Sequence, residues 1–204
     1  ATIVFKQIWN AINEVNPDGT RRYRYILNTG SSRRSKTYSI LQSHYLRAIQ
    51  HSNNRISIWR ETKQDTKNTV IVDFKNAIVN FPLNENIQFN KTESIYTFSN
   101  RSTIEICGGD DDNKVHGFQG DVAHFNEPYK ISRETFDQID MRTSEYILID
   151  WNPKKGHWID ELSKDPRAIV IHSTFKDNPF CPPEQKATIR VSYTHLTLPP
   201  IYSV

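Results

Sequence analysis

Glycine and long apolar runs are both scarce in this sequence of 204 residues. Seven glycines exclude a collagen-like or glycine-rich linker architecture, and they make each glycine a position of interest. No stretch approaches the roughly 18 consecutive apolar residues of a transmembrane helix. The first residues also lack the basic segment and apolar run of a signal peptide. We therefore expect no membrane association.

Cysteine is almost absent, since Cys107 and Cys181 are the only two. They form no C-x-x-C pair, and the seven histidines are scattered along the chain, so a structural zinc site is not expected. The net charge of +3 is spread along the chain rather than clustered. Such a diffuse excess permits contact with nucleic acid but does not by itself indicate it.

Predicted strands alternate with predicted helices along a chain whose length suits a single domain. An amphipathic helix is predicted over 3–15, with Val15 as its last apolar residue. Strands are predicted at 24–28, 55–59, 122–125, 146–150 and 168–172, and helices at 37–50, 66–79, 132–141 and 157–163. This alternation predicts a three-layer α/β fold with a mainly parallel central sheet. Short alternating runs predict an antiparallel excursion at one edge of the sheet, over residues 87–107.

A phosphate-binding loop is predicted between the first strand and the next helix. Residues 30–37 read Gly-Ser-Ser-Arg-Arg-Ser-Lys-Thr and match G-x-x-x-x-G-K-[ST], except that Ser35 replaces the second glycine. In such a loop, backbone N–H groups face the phosphates, Lys36 reaches the β- and γ-phosphates, and the Thr37 hydroxyl ligates Mg²⁺. The candidate nucleotide-binding residues are Gly30, Ser31, Ser32, Ser35, Lys36 and Thr37. The pattern alone is loose, and an ordinary basic loop is the alternative.

A second candidate motif lies at the end of the strand predicted at 122–125. Four mostly apolar residues are followed by Asn126 and Glu127, which resembles a Walker B strand with asparagine in place of the usual aspartate. Asn126 can hold a metal-bound water through its carbonyl oxygen, and Glu127 is the candidate general base. The alternative is a strand that ends in a solvated polar turn. A rival acidic cluster at residues 110–112 is interpreted as solvated.

Together these motifs resemble the ATPase domain of tailed-phage terminase large subunits, the motors that package viral DNA. The arginine-containing loop at 30–37 is similar to that family's Walker A, and Phe125-Asn126-Glu127 to its Asn-Glu variant of Walker B. Further similar segments lie at 59–62, 108–110, 114–117, 149–153 and 173–179, and the resemblance covers residues 5–187. It implies a P-loop NTPase fold.

The resemblance also implies roles for individual residues. Arg33 or Arg34 would stabilise developing charge on the γ-phosphate as an arginine supplied in cis. Asp150 and Asn152 would sense the γ-phosphate and couple hydrolysis to movement. Arg60, at the end of the second strand, is more often a structural ion-pair partner than a direct participant.

The implied function is ATP hydrolysis, with ATP and Mg²⁺ as cofactors, that drives double-stranded viral DNA into a procapsid. The implied partners are DNA of any sequence, the portal protein, the small terminase subunit and further copies in a ring on the portal. The implied location is the host bacterial cytoplasm, for a phage-encoded protein. Because Ser35 and Asn126 depart from the usual motifs, a non-catalytic nucleotide-binding or scaffold fragment with a degenerate P-loop is the alternative. A P-loop kinase would require an acceptor-binding lid, and no arginine-rich lid segment is visible.

The last 14 residues differ from the rest because 191–204 contain no Asp, Glu, Lys or Arg. The string resembles translated sequencing-adapter read-through. We therefore expect an ATPase domain over 1–190, with the family's metal-dependent nuclease domain missing by truncation. The segment 191–204 is expected to be a non-native or disordered tail that is extended and dispensable.

Overall fold

The computed structural model describes residues 2–30, 35–79, 86–152 and 156–173, without the side chains of residues 35 and 65–68. Its strands are β1 (Tyr25–Gly30), β2 (Arg55–Arg60), β3 (Gln88–Asn90), β4 (Ile95–Thr97), β5 (Thr103–Gly108), β6 (Gly120–Asn126), β7 (Thr143–Trp151) and β8 (Ala168–Ser173). Its helices are α1 (Ile3–Asn13), α2 (Ser35–Gln50), α3 (Lys63–Val79), α4 (Asp112–Gly117), α5 (Arg133–Asp140) and α6 (Trp158–Leu162). The predicted alternation of strands and helices is therefore confirmed.

All eight strands belong to one sheet with the order β3-β4-β5-β2-β6-β7-β1-β8. The strands from β5 to β8 in this order pair in parallel, so their carboxyl ends meet at one edge of the sheet. β7 lies between β1 and β6, the two strands that carry the predicted motifs. The mainly parallel sheet predicted from the sequence is confirmed.

The predicted antiparallel excursion over residues 87–107 is confirmed, and its last strand, β5, also joins the parallel part of the sheet. β4 pairs antiparallel with both β3 and β5, but β5 pairs parallel with β2 along its whole length. A tight reversal at residues 98–102 makes β5 antiparallel to β4, and the same direction makes it parallel to β2. The alternating pattern of residues 103–107 identifies a strand but does not identify its second neighbour.

Helices cover both faces of the sheet, as a three-layer fold requires. α1, α2 and α3 pack on one face, over a core that includes Ile26, Ile56 and Leu148. α4, α5 and α6 pack on the other face, over a core that includes Leu27 and Ile149. Successive strand residues point to opposite faces, which is why both cores draw on the same strands. The thorough burial of these apolar side chains is the main source of stability.

Two local predictions are corrected. α1 ends at Asn13, so Val15 lies outside the helix and is 59% exposed, because the chain turns at Asn16 and Pro17. α4 occupies part of the segment predicted as a loop, and it begins where the Asp111 side chain accepts a hydrogen bond from the Lys114 N–H. Residues 110–112 are exposed, as predicted. Among the described helices, none is long and apolar enough to cross a membrane.

Candidate functional site

The carboxyl ends of β1, β6 and β7 meet the first turn of α2 at one rim of the sheet. Gly30 ends β1 with φ +153°, and a Cβ atom there would lie 1.8 Å from the Ser173 carbonyl oxygen of β8. Only glycine fits this close approach of two backbones. Its carbonyl oxygen accepts a hydrogen bond from the Lys36 ammonium at 2.5 Å. The first glycine of the predicted loop is thus required by packing.

The Lys36 ammonium is buried at this rim and bonded to neutral oxygens. Besides Gly30, Nζ donates to the Trp151 carbonyl oxygen at 3.2 Å and to Asn152 Oδ1 at 2.9 Å. Burial lowers the pKa of Lys36, although the negative charges of Asp150 and Glu127 act in the opposite direction. Of the carboxylates in the described residues, none is within ion-pair distance of Nζ. A partly desolvated cation without a bonded anion is a favourable partner for a phosphate.

Thr37, Asn126 and Asp150 form one hydrogen-bonded group beside Lys36. The Thr37 hydroxyl donates to Asp150 Oδ2 at 3.0 Å. Asn126 Nδ2 donates to both Asp150 carboxylate oxygens at 3.0 Å and lies 3.5 Å from Thr37 Oγ1. The side chains of Asn126 and Asp150 thus meet across the paired ends of β6 and β7, where these two residues are in register.

Two buried histidines lie beneath this group. His124 Nε2 is 2.7 Å from Asp150 Oδ1, and the His124 ring lies 5.0 Å from the ring of His44 on α2. Burial works against ionisation of Asp150, but the hydrogen bond and charge of His124, together with Asn126, hold its pKa below the usual range. Burial, His124 and Arg47 place the pKa of His44 well below its usual range, so His44 is neutral near pH 7.

The candidate base Glu127 follows β6 in a backbone conformation that few residues other than glycine adopt. Its φ is +51°, and its N–H donates to the Asp150 carbonyl oxygen at 2.8 Å. Its carboxylate pairs with Arg60, whose Nη2 lies 2.5 Å from Glu127 Oε2. Arg60 is therefore an ion-pair partner, as the sequence suggested, and its partner is the candidate base itself. The sequence did not predict this pair.

Asn152 directly follows β7 and contacts two residues of the rim. Its Oδ1 accepts from Lys36, and its N–H donates to the Tyr129 hydroxyl oxygen at 2.8 Å. The structure thus brings Lys36, Glu127 and Asn152 to one rim, as predicted. Sequence reasoning missed Tyr129 and His124, although a histidine inside an apolar strand is a signal that could have been followed.

Several predicted residues lie outside the described residues. They are Ser31, Ser32, Arg33, Arg34, the side chain of Ser35, and residues 174–204 with the predicted tail. Among the described residues of this group, the oxygen atoms that could face a cation belong to Thr37 and Asp150, while Asn126 directs its Nδ2 towards them. Magnesium prefers such oxygen ligands, so this group fits Mg²⁺. In the described part of the chain, no cluster of three or more His, Cys, Asp or Glu side chains is suited to a metal.

Solved structures with the same fold include the large terminases of two phages. The large terminase of a thermophilic bacteriophage has a TM-score of 0.78 and 15% identity, with 93% of this chain and 49% of that chain covered. The same terminase in complex with ATP-gamma-S has a TM-score of 0.75 and 16% identity, with 98% of this chain and 50% of that chain covered. The ATPase domain of the Thermus phage P74-26 large terminase has a TM-score of 0.62 and 13% identity, with 95% of this chain and 88% of that chain covered. The chain therefore spans about half the length of the thermophilic phage terminase.

The sequence itself matches one family. No curated protein matches it. A sequence model described as phage terminase large subunit matches residues 22–195, which include both predicted motifs and every strand of the parallel sheet. The match extends over most of the chain and agrees with the fold of the solved terminases. This chain therefore belongs to the phage terminase large subunit family, and its fold is that of the family's ATPase domain.

Proposed function

We propose that this domain binds ATP with Mg²⁺ and hydrolyses it to drive double-stranded DNA into a viral procapsid. The observation that carries the proposal is the rim itself. There Lys36, whose bonded partners among the described residues are neutral oxygens, lies beside the Thr37–Asp150 pair and the candidate base Glu127. The family and the nucleotide complexes of the thermophilic phage terminase support the same interpretation.

The binding roles follow from the chemistry of each group. Lys36 would exchange its neutral acceptors for the β- and γ-phosphate oxygens, and backbone N–H groups at the start of α2 would face the same phosphates. Residues 30–35 would form the cradle. When bound, Mg²⁺ would neutralise phosphate charge, and Thr37, whose hydroxyl is bonded to Asp150, would help to hold it. Glu127 would accept the proton of the attacking water.

Coupling to movement is proposed for the end of β7. Asn152 Oδ1 and a phosphate compete for the same Lys36 ammonium, so nucleotide binding would release this contact. The Asn152 N–H also donates to the Tyr129 hydroxyl. Release of Asn152 from Lys36 would therefore change a contact with the segment that follows β6. Asp150, two residues earlier, shares this strand end. Arg33 or Arg34 would stabilise γ-phosphate charge during hydrolysis.

The Arg60–Glu127 pair favours a second candidate, a domain that binds nucleotide without hydrolysing it. The ion pair holds Glu127 Oε2 2.5 Å from Arg60 Nη2, so the carboxylate is kept in this orientation while the pair is closed. Arg60→Gln removes the competing cation and keeps a polar side chain. We expect DNA-independent ATP hydrolysis to rise several-fold in this variant. Unchanged hydrolysis would show that the pair does not restrain the base.

DNA, the portal protein, the small terminase subunit and further copies in a ring are the proposed partners, in the host bacterial cytoplasm. A packaging motor must accept any sequence, so its contacts should be to phosphates. The affinity should then fall steeply with salt and vary little with base composition. In the complete protein we propose that a metal-dependent nuclease domain follows, since this chain spans about half of the thermophilic phage terminase.

The test measures nucleotide binding by this chain and hydrolysis by the complete protein. A fluorescent ATP analogue should bind the chain in a Mg²⁺-dependent manner and be displaced by ATP. DNA of unrelated sequences should stimulate hydrolysis by the complete protein to similar extents. Absence of nucleotide binding would overturn the proposal. Binding without hydrolysis, in the presence of DNA, would favour the non-catalytic candidate.

A further inference from the structure

We propose that Asp150 on β7, and not residue 126 on β6, supplies the carboxylate that positions the Thr37 hydroxyl for the metal ion. This inference rests on the proposed function, because it concerns the metal that accompanies the nucleotide. In a Walker B strand the carboxylate belongs to the residue before the glutamate, which is Asn126 in this chain. In this chain the carboxylate, Asp150, lies on the neighbouring strand.

The strand order makes this exchange possible. β7 lies directly between β1, which leads into the phosphate loop, and β6, which carries the Asn-Glu pair. Asn126 and Asp150 are register partners at the carboxyl ends of their strands. Asp150 is only 2% exposed, yet its Oδ2 reaches the Thr37 hydroxyl on α2 at 3.0 Å. A carboxylate on β7 therefore contacts the same threonine that one on β6 would serve.

The hydrogen bonds set the role of each partner. A hydroxyl has one proton to donate and two lone pairs. Because Thr37 gives its proton to Asp150, and Asn126 Nδ2 approaches its oxygen only at 3.5 Å, a lone pair of the hydroxyl remains available to a cation. Asn126 directs its Nδ2, the donor end of the amide, at both oxygens of Asp150, and His124 holds Oδ1 from beneath. Asn126 therefore acts as a partner that orients the carboxylate.

The same geometry explains why residue 126 is not an aspartate. An aspartate there would bring a second carboxylate to about 3 Å from Asp150, and two like charges at that distance do not both stay ionised. Asn126 and Asp150 are a matched pair, in which one strand supplies the charge and the other supplies the donor. Exchanging the two residues keeps one charge and one amide in the same space.

The experiment measures how Mg²⁺ changes the affinity of the 204-residue chain for ATP-gamma-S. Mn²⁺ binding, followed by electron paramagnetic resonance, gives a second readout that does not depend on hydrolysis. Asp150→Asn should weaken apparent metal affinity by about 10- to 100-fold. The exchanged double variant, Asn126→Asp with Asp150→Asn, should recover most of this loss. Asp140→Asn, which removes a carboxylate far from the rim, is the matched control and should leave metal affinity unchanged.

The outcomes separate this inference from the proposed function. If the wild-type chain binds no ATP-gamma-S, the proposed function fails and takes the inference with it. If the wild-type chain binds ATP-gamma-S in a Mg²⁺-dependent manner and the Asp150→Asn variant shows the same metal affinity, only the inference fails. A loss that the exchanged variant does not recover would mark Asp150 as a purely structural residue, which overturns the inference. A cycle with Thr37→Val guards against misfolding of one variant, because effects carried through Thr37 should not add.

Discussion

The two ends of the parallel strands differ in the partners that the described residues give to their cations. At the amino ends three arginines have carboxylate partners: Arg24 Nη2 lies 2.6 Å from Asp140 Oδ1, and Glu145 accepts from both Arg21 and Arg47. At the carboxyl ends Arg60 pairs with Glu127, but the Lys36 ammonium is bonded to three neutral oxygens. The first end pairs these cations within the chain, whereas the second also holds Lys36 in position for an anion that none of the described residues supplies.

This difference separates stability from function. A partly buried pair with several hydrogen bonds contributes to folding, while a desolvated cation without a bonded anion opposes it. The chain tolerates the second arrangement at a rim where Gly30 and Glu127 also have positive φ. Changes at the carboxyl ends should therefore alter chemistry, and changes at the amino ends should alter stability.

The largest effect is expected for Glu127→Gln, which keeps the shape of the side chain and removes the proton acceptor. Hydrolysis by the complete protein with DNA should fall by roughly 100-fold or more, because general base catalysis typically contributes that much. Nucleotide binding should survive. The measurement is steady-state ATP turnover beside analogue binding. Turnover like that of the wild type would place the base elsewhere.

Lys36→Ala should give the next largest effect, on binding. Loss of a charged donor to phosphate typically costs about 1.5–3 kcal/mol, which corresponds to roughly a 10- to 100-fold weaker affinity for nucleotide. Fluorescence titration with an ATP analogue measures it. Lys114, which already has Glu105 as its partner, provides the control, and Lys114→Ala should bind nucleotide normally. Equal affinities for the two variants would show that the Lys36 ammonium is not the phosphate ligand.

At the amino ends, Asp140→Asn should reduce stability and leave nucleotide affinity intact. Asp140 accepts hydrogen bonds from Arg24 and from the Tyr25 hydroxyl, and the pair is only about one-fifth exposed. Its loss should cost about 1–2 kcal/mol and lower the melting temperature by several degrees. Thermal unfolding measures the loss of stability, and titration with the ATP analogue measures the nucleotide affinity. A variant with normal stability but weak binding would contradict the contrast between the two ends.

The smallest expected effect is a pH dependence of the free energy of unfolding, which arises at the amino ends of the strands. Burial and the bond to Asp140 raise the pKa of Tyr25 to about 12 from an ordinary value of 10.0. The folded state therefore favours the neutral phenol, so this contribution is complete below pH 10 and is lost as the pH rises towards 12. Tyr25→Phe should flatten that part of the decline in the free energy of unfolding. A slope equal to that of the wild type would exclude Tyr25 as its source.

Local chemistry determined much of this protein in advance. Periodic apolar residues and turn signals are sufficient to place the parallel strands and most helices, because they act over a few neighbouring residues. Lys36 and Thr37 were identifiable because a phosphate loop is one continuous segment, and Glu127 because it directly follows an apolar strand. The ordered set of such motifs was enough to indicate the terminase family, which the sequence model confirms.

The tertiary structure decided which of these residues meet. The parallel pairing of β5, the contact of Asp150 with Thr37, and the Arg60–Glu127 pair all join residues tens of positions apart. These contacts depend on the order of strands in the sheet, which arises from packing among distant segments and leaves no pattern within any one of them. The sequence therefore determined the groups available for chemistry, and the insertion of β7 between β1 and β6 decided that Asp150 faces Thr37.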